Sequence, residues 1–168
     1  LLHATRYDSS KTAARYHTNA LSEPGYDYEK IFTEKNIITV RSPDELMELG
    51  FLFAHSNIPA GERIGILNTT GGITVLSADV GSEMNLCLPP LSEGTYQLLK
   101  GVMKFGTPNN PLDLTGQVAG DPELYGTVLE KFINDENFDI LIISMFTLRK
   151  EHLKYRIDRL IDMYGSTK

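Results

Sequence analysis

The stretch Arg63-Ile64-Gly65-Ile66-Leu67-Asn68-Thr69-Thr70-Gly71-Gly72-Ile73-Thr74-Val75-Leu76 constrains the fold more than any other. Ile64, Ile66 and Leu67 make a short apolar run, and Asn68, Thr69 and Thr70 are turn and helix N-cap residue types. Gly71 and Gly72 let the backbone approach a ligand with no Cβ in the way. The pattern predicts a buried strand, a tight turn and the first turn of a helix. A helix starting there aims unpaired N–H groups and the positive end of its dipole at whatever lies above the turn. The same residues also suit a plain strand-to-helix junction, because Gly-Gly turns are common in α/β proteins.

Downstream, strand and helix signals alternate. Val75, Leu76 and Val80 continue a helix to about Gly81, and Leu86-Cys87-Leu88 reads as a second strand closed by Pro89-Pro90. Leu91-Ser92-Glu93 opens a helix carrying Tyr96, Leu98, Leu99 and Val102, and residues 105–115 read as irregular. Asp121-Pro122-Glu123 starts a helix with Leu124, Val128, Leu129, Phe132 and Ile133 on one face. Phe138 to Ser144 is the clearest strand, continuously apolar as a parallel strand covered on both faces should be. Residues 150–164 form an amphipathic helix with Leu153, Ile157, Leu160, Ile161 and Tyr164 on one side. The alternation predicts an α/β class with a doubly wound, flavodoxin-like parallel sheet. Ligands in such sheets sit beyond the carboxyl ends of the strands, where the strand order reverses. A flavodoxin-like sheet has five strands, so one or two are expected to be missing here.

Upstream, residues 1–25 carry few apolar side chains and read as an exposed loop with at most a short helical turn, ending in a turn at Pro24-Gly25. Tyr28, Ile31 and Phe32 fall at helical spacing, and Ile37-Ile38-Thr39-Val40 reads as a strand. Ser42-Pro43-Asp44-Glu45 is a strong helix start, with Ser42 as cap and Glu45 completing a capping box. Leu46, Leu49, Gly50 and Phe53 form that helix's apolar face. Ser56 to Gly61 has linker character, which divides the chain into domains 1–58 and 59–168.

A net charge of −6 argues against a general nucleic-acid binder, but a single helix terminus can still hold a small anion. One cysteine, Cys87, rules out an intrachain disulfide and suits a reducing, cytoplasmic setting; its apolar neighbours suggest a core position. No apolar run approaches bilayer length, and the opening residues lack the features of a signal peptide. A start at Leu1 suggests a fragment. No metal-ligand spacing is present, so no metal site is expected.

Three stretches taken together resemble the NDP-forming acyl-CoA synthetases, which include ADP-forming acetyl-CoA synthetases and, more distantly, succinyl-CoA synthetase. Ala13-Ala14-Arg15-Tyr16-His17-Thr18-Asn19-Ala20-Leu21 is similar to the family's phosphohistidine loop. Arg63 to Val75 resembles its strand and Gly-Gly turn, and Asn110-Pro111-Leu112-Asp113-Leu114-Thr115-Gly116 its Asn-Pro-Val-Asp-Leu-Thr-Gly segment. The sequence departs from the family pattern at Tyr16, Asn19, Glu23, Pro24 and Thr74.

The resemblance implies a reversible synthesis of acyl-CoA from acid, CoA and NTP. His17 would be the phosphoryl carrier, and Gly71, Gly72, Ile73 and Thr74 would bind the phosphate. Imidazole suits the carrier role, since its neutral form is a nucleophile available near pH 7, and covalent transfer splits one hard step into two. The resemblance further implies CoA, ATP or ADP and Mg²⁺ as substrates, with no tightly bound cofactor. It implies CoA-binding and ATP-grasp domains or subunits as partners, a small-molecule acid, and an oligomer without nucleic acid or membrane. Residues 1–58 would end one CoA-ligase domain, and 59–168 would be an incomplete flavodoxin-like ligase domain. An alternative is a non-catalytic, CoA-ligase-like regulatory or assembly module, for example of a protein acetyltransferase. His3, His55 and His152 suggest no role, and Asp113 suggests an Asx turn.

Overall fold

Three parallel strands, Leu112–Asp113 (β2), Ile64–Asn68 (β1) and Ile140–Ser144 (β3), lie side by side in the order β2-β1-β3. That order opens the flavodoxin-like arrangement, in which the chain leaves the first strand to one side and then crosses to the other. The computed structural model describes residues 1–18, 26–146 and 150–166. Asn19, Glu23 and the Pro24-Gly25 turn lie outside the described residues. The chain falls into two units, Leu1–Ile58 and Pro59–Lys168.

In the first unit, Asp8–Thr18 (α1), Tyr28–Glu34 (α2) and Pro43–His55 (α3) are helices. Helix α1 replaces the expected loop. It has few large apolar residues to mark a buried face, but Ala13, Ala14, Lys11 and Arg15 are good helix formers. Asp8 in its first turn and Arg15 and His17 in its last complement the dipole. Ile37 to Val40 is not a strand but a single parallel bridge between Leu2 and Val40. Helix α3 starts as expected: the Ser42 hydroxyl accepts from Glu45 N at 3.1 Å. Glu45 reaches one residue further back than a capping box requires, accepting from Arg41 N at 2.7 Å. Its expected apolar face is uncovered, with Phe53 64% exposed and no α3 residue buried.

The second unit is built around β1, whose five residues are all buried. Alternation sends Gly65 and Leu67 to one face and Ile64, Ile66 and Asn68 to the other. The first face carries the core: Leu67, Leu99, Leu112, Leu114, Val128, Leu129 and Phe132 among others. Helix Pro122–Ile133 (α6) supplies Leu124, Tyr125, Val128, Leu129 and Phe132. Asp121 caps α6 by accepting from Leu124 N at 3.0 Å. Helices Glu93–Val102 (α5) and Lys150–Ser166 (α7) and a 3₁₀ turn at Thr115–Ala119 pack on α6. Helix Gly71–Glu83 (α4) packs on β1 and β2. It runs past Gly81, where the expected helix stopped.

Leu86 to Leu88 is not a strand. Ile64 N donates to Cys87 O at 2.8 Å, and the ladder on this edge of β1 then passes to a side chain. The Asn110 amide accepts from Ile66 N at 2.9 Å and donates to Ile64 O at 2.7 Å and Pro89 O at 2.8 Å. Asn110 thus stands in for strand backbone until β2 takes over at Leu112. Cys87 ends up exposed rather than in the core. Replacing Asn110 with alanine should cost about 2–3 kcal/mol in urea unfolding, because buried groups of β1 lose their partners. Aspartate should do no better, since it keeps the acceptor for Ile66 N and loses both donors.

Strand β3 is less covered than its sequence implies, with Ile142 46% exposed. At its start, the Arg63 guanidinium forks onto Asp139, with Nε to Oδ2 and Nη2 to Oδ1 both at 2.8 Å. These hydrogen bonds, and one from Arg63 N, hold the Asp139 carboxyl down at about 2. An unfolded aspartate titrates near about 3.9. The pair's stabilisation is therefore complete above about pH 4 and is lost as pH falls through about 2. Asp139→Asn should lower stability at pH 7 and flatten the loss between pH 4 and 2, read by urea unfolding across that range.

Candidate functional site

The carboxyl ends of β1, β2 and β3 open onto one cleft of about 800 Å³. Its walls are Thr69–Gly71 after β1, Thr115–Gly120 without Gln117 after β2, Phe146 after β3, and His152 and Arg156 from α7. The cleft sits where the chain has gone from β1 to β2 on one side and to β3 on the other, the place where such sheets bind ligands.

Each wall is fixed by local chemistry. Thr69 is buried, and its Oγ1 accepts from Phe146 N at 2.8 Å, tying the ends of β1 and β3 together. Thr70 is the N-cap of α4 in an extended conformation, yet its side chain makes no cap hydrogen bond. The N–H groups of Gly71, Gly72 and Ile73 are in the first turn, where a helix offers them no partner. Thr74 differs from the expectation: its N–H donates to Thr70 O at 3.2 Å, so it closes the first turn and is not a free donor. The donor set at this end is Gly71, Gly72 and Ile73. A Cβ on Gly71 would lie 3.0 Å from Asp113 Oδ2, whereas one on Gly72 would meet nothing within 4 Å.

Asp113 makes the expected Asx turn, accepting from Thr115 N at 2.7 Å. This holds Thr115, at φ 51, in a left-handed conformation that a β-branched residue rarely takes. Arg156, also in the cleft wall, is buried, 4% exposed. Its Nη1 donates to Phe146 O at 3.2 Å and its Nη2 to Val118 O at 3.4 Å, and its guanidinium lies 5.0 Å from the centre of the Tyr125 ring. Among the described residues it has no carboxylate partner. Burial pushes the Tyr125 hydroxyl up to about 12 against the opposing pull of Arg156, so the ring stays a neutral phenol. A helix N-terminus and a buried cation lining one cleft make it suited to an oxyanion.

His17 is exposed in the last turn of α1, in the first unit, and not on a loop. In the second unit Gly71 lines the cleft, and Gly72 and Ile73 follow it in the first turn of α4. Among the described residues no group of three or more His, Cys, Asp or Glu is placed to hold a metal ion. No helix among them is long and apolar enough to cross a membrane.

No protein-family model matches the chain. Over 142 residues it is 29% identical to the alpha subunit of acetate–CoA ligase (ADP-forming) II of Pyrococcus furiosus, covering 84% of this chain and 30% of that one. Over 119 residues it is 32% identical to acetate–CoA ligase (ADP-forming) of Methanocaldococcus jannaschii, covering 70% of this chain and 17% of the relative. The chain belongs to the NDP-forming acyl-CoA synthetase family. It therefore spans less than a third of the length of these relatives. The fold agrees with that of the acetyl-coenzyme A synthetase 1 of Candidatus Korarchaeum cryptofilum in complex with phosphate and ADP. The TM-score is 0.78 at 23% identity, over 95% of this chain and 35% of that one. The apo form of the same synthetase matches with a TM-score of 0.76 at 25% identity.

In this member of the acyl-CoA synthetase family, the reading of the sequence missed His152 and Arg156. The buried stripe of α7 runs through Arg156, Leu160 and Met163, with His152 half-buried one turn before. Of the expected apolar face, Leu160 packs against the core, whereas Leu153 is 38%, Ile157 40% and Ile161 63% exposed. A His and an Arg four residues apart on the helix that follows the last strand was the available signal.

Proposed function

We propose that the chain is part of an acid–CoA ligase of the NDP-forming type, in which His17 carries a phosphoryl group and the cleft at the head of α4 receives it. Residues 1–58 then end one CoA-ligase domain, and 59–168 are a flavodoxin-like ligase domain. The observation that carries this reading is the N-terminus of α4, without a side-chain cap, at a cleft that Arg156 also lines. The relatives' names as ADP-forming ligases, and the phosphate and ADP in the Korarchaeum synthetase structure, support it.

The chemistry balances in three transfers. A ring nitrogen of His17 attacks the terminal phosphorus of an NTP, and NDP leaves. The carboxylate oxygen of the acid attacks the phosphohistidine phosphorus, the P–N bond breaks and an acyl phosphate forms. The CoA thiol then attacks the acyl carbon, losing its proton, and phosphate leaves. In the acyl phosphate step, the N–H groups of Gly71, Gly72 and Ile73 stabilise the charge on the phosphoryl oxygens. ATP or ADP and Mg²⁺, a CoA-binding domain and an ATP-grasp domain belong to this reading, as do a cytoplasmic setting and an oligomer.

The test incubates the full-length protein with terminally labelled ATP, Mg²⁺, CoA and a panel of small acids. Acyl-CoA, ADP and an acid-labile, base-stable protein label are expected. A full-length protein that consumes no ATP and takes up no label with any acid would instead be a non-catalytic module.

A further inference from the structure

Resting on the reading of the cleft as an oxyanion site, we propose that Arg156 is its positioning residue, setting a preference for a doubly charged phosphoryl oxyanion over a singly charged carboxylate. His152, one turn earlier on the same helix, adds a second nitrogen donor to the same wall.

A buried guanidinium is tolerated when a carboxylate neutralises it or when something else in its site does. Here its surroundings are two backbone carbonyls and a tyrosine face, which are dipoles and a quadrupole and leave the formal charge in place. Asp113, whose carboxylate lies beside Gly71, is engaged elsewhere. Its Oδ1 accepts from Thr115 N, and its Oδ2 lies beside Gly71. The cleft therefore carries uncompensated positive charge on one wall and helix N–H groups on another.

The two carbonyls fix which charge fits. Val118 O belongs to the segment after β2 and Phe146 O to the segment after β3, so Arg156 pins both lips of the cleft with its terminal nitrogens. Those nitrogens are held apart on separate acceptors. They do not present the paired fork that matches a planar carboxylate. What remains is a fixed point charge, whose attraction grows with the charge of the ligand. A phosphate-type oxyanion carries about −1.5 to −2 at pH 7, against −1 for a carboxylate.

The experiment titrates inorganic phosphate and, separately, acetate into the full chain, following the backbone amides of Gly71, Gly116 and Phe146 by NMR. Wild type, Arg156→Gln, Arg156→Lys and His152→Gln are compared. In the wild type, phosphate should move these amides and bind at least about tenfold tighter than acetate. Arg156→Gln should lose about tenfold in phosphate affinity and bring the two anions to parity. Arg156→Lys keeps the charge but not the two-carbonyl fork, so the phosphate preference should survive. His152→Gln should lose about threefold.

Equal phosphate affinity in wild type and folded Arg156→Gln would overturn the proposal. So would wild-type amides that do not respond to phosphate. If Arg156→Gln does not fold, the lysine variant decides. An arginine that only holds the two lips together would lose phosphate preference in Arg156→Lys as well. None of these readouts involves His17 labelling, so a failed carrier role and a failed Arg156 role would be seen separately.

Discussion

His17→Ala in the full-length protein should lower acyl-CoA formation by about a thousandfold or more while leaving the thermal midpoint unchanged. The two halves of that expectation have separate causes. A residue that forms the covalent intermediate has no substitute once its nucleophilic atom is gone, and losses of this size follow such removals. His17 is exposed in the last turn of α1, and substitutions at exposed positions shift stability by no more than about 0.5 kcal/mol. The other described histidines are placed differently. His3 stacks near Tyr28 and Phe32, His55 lies against Phe51, and His152 is in the cleft wall. Residual activity within about tenfold of wild type would rule out an obligatory carrier at this position.

Phe132→Ala should cost about 3–5 kcal/mol, a large part of the stability of any domain this size. Phe132 is fully buried in the core cluster, its ring 5.0 Å from that of Phe138. Phe138 in turn lies over β1 so closely that a Cβ on Gly65 would sit 2.6 Å from its ring. Removing the Phe132 ring thus empties the space that seats Phe138 on the central strand. In urea unfolding the midpoint should fall sharply, whereas Phe53→Ala, at an exposed position of this chain, should barely move it. A Phe132→Ala cost below about 1 kcal/mol would show that the core collapses around the loss.

The sequence made some of this legible and hid the rest for identifiable reasons. The strand-turn-helix at 64–76 reads directly, because its apolar run is short and bounded by glycines. Helix α6 reads directly too, because one packed face and an Asp-Pro start agree with each other. Helix α1 is hidden because it buries almost nothing and carries no run of large apolar residues. The Leu86–Leu88 segment reads as a strand, but the ladder positions it would fill are taken by the Asn110 side chain, which no local pattern announces. On α7 the buried side takes Leu160 from the expected face, whose Leu153, Ile157 and Ile161 are exposed. Its cleft-facing side is set by Arg156, whose acceptors lie 10 and 38 residues away in the chain. Thr74 was counted with the glycines by sequence proximity, but helix geometry assigns its N–H to Thr70 O.

The most direct measurement is a peptide map of the labelled full-length protein after brief exposure to labelled ATP, Mg²⁺ and an accepted acid. Trypsin releases His17 within residues 16–30 and His152 within residues 151–154. The account predicts acid-labile phosphate on the first peptide alone, discharged when CoA is added together with the acid. Label on the 151–154 peptide, with none on 16–30, would place the covalent chemistry inside the cleft and contradict a carrier at His17.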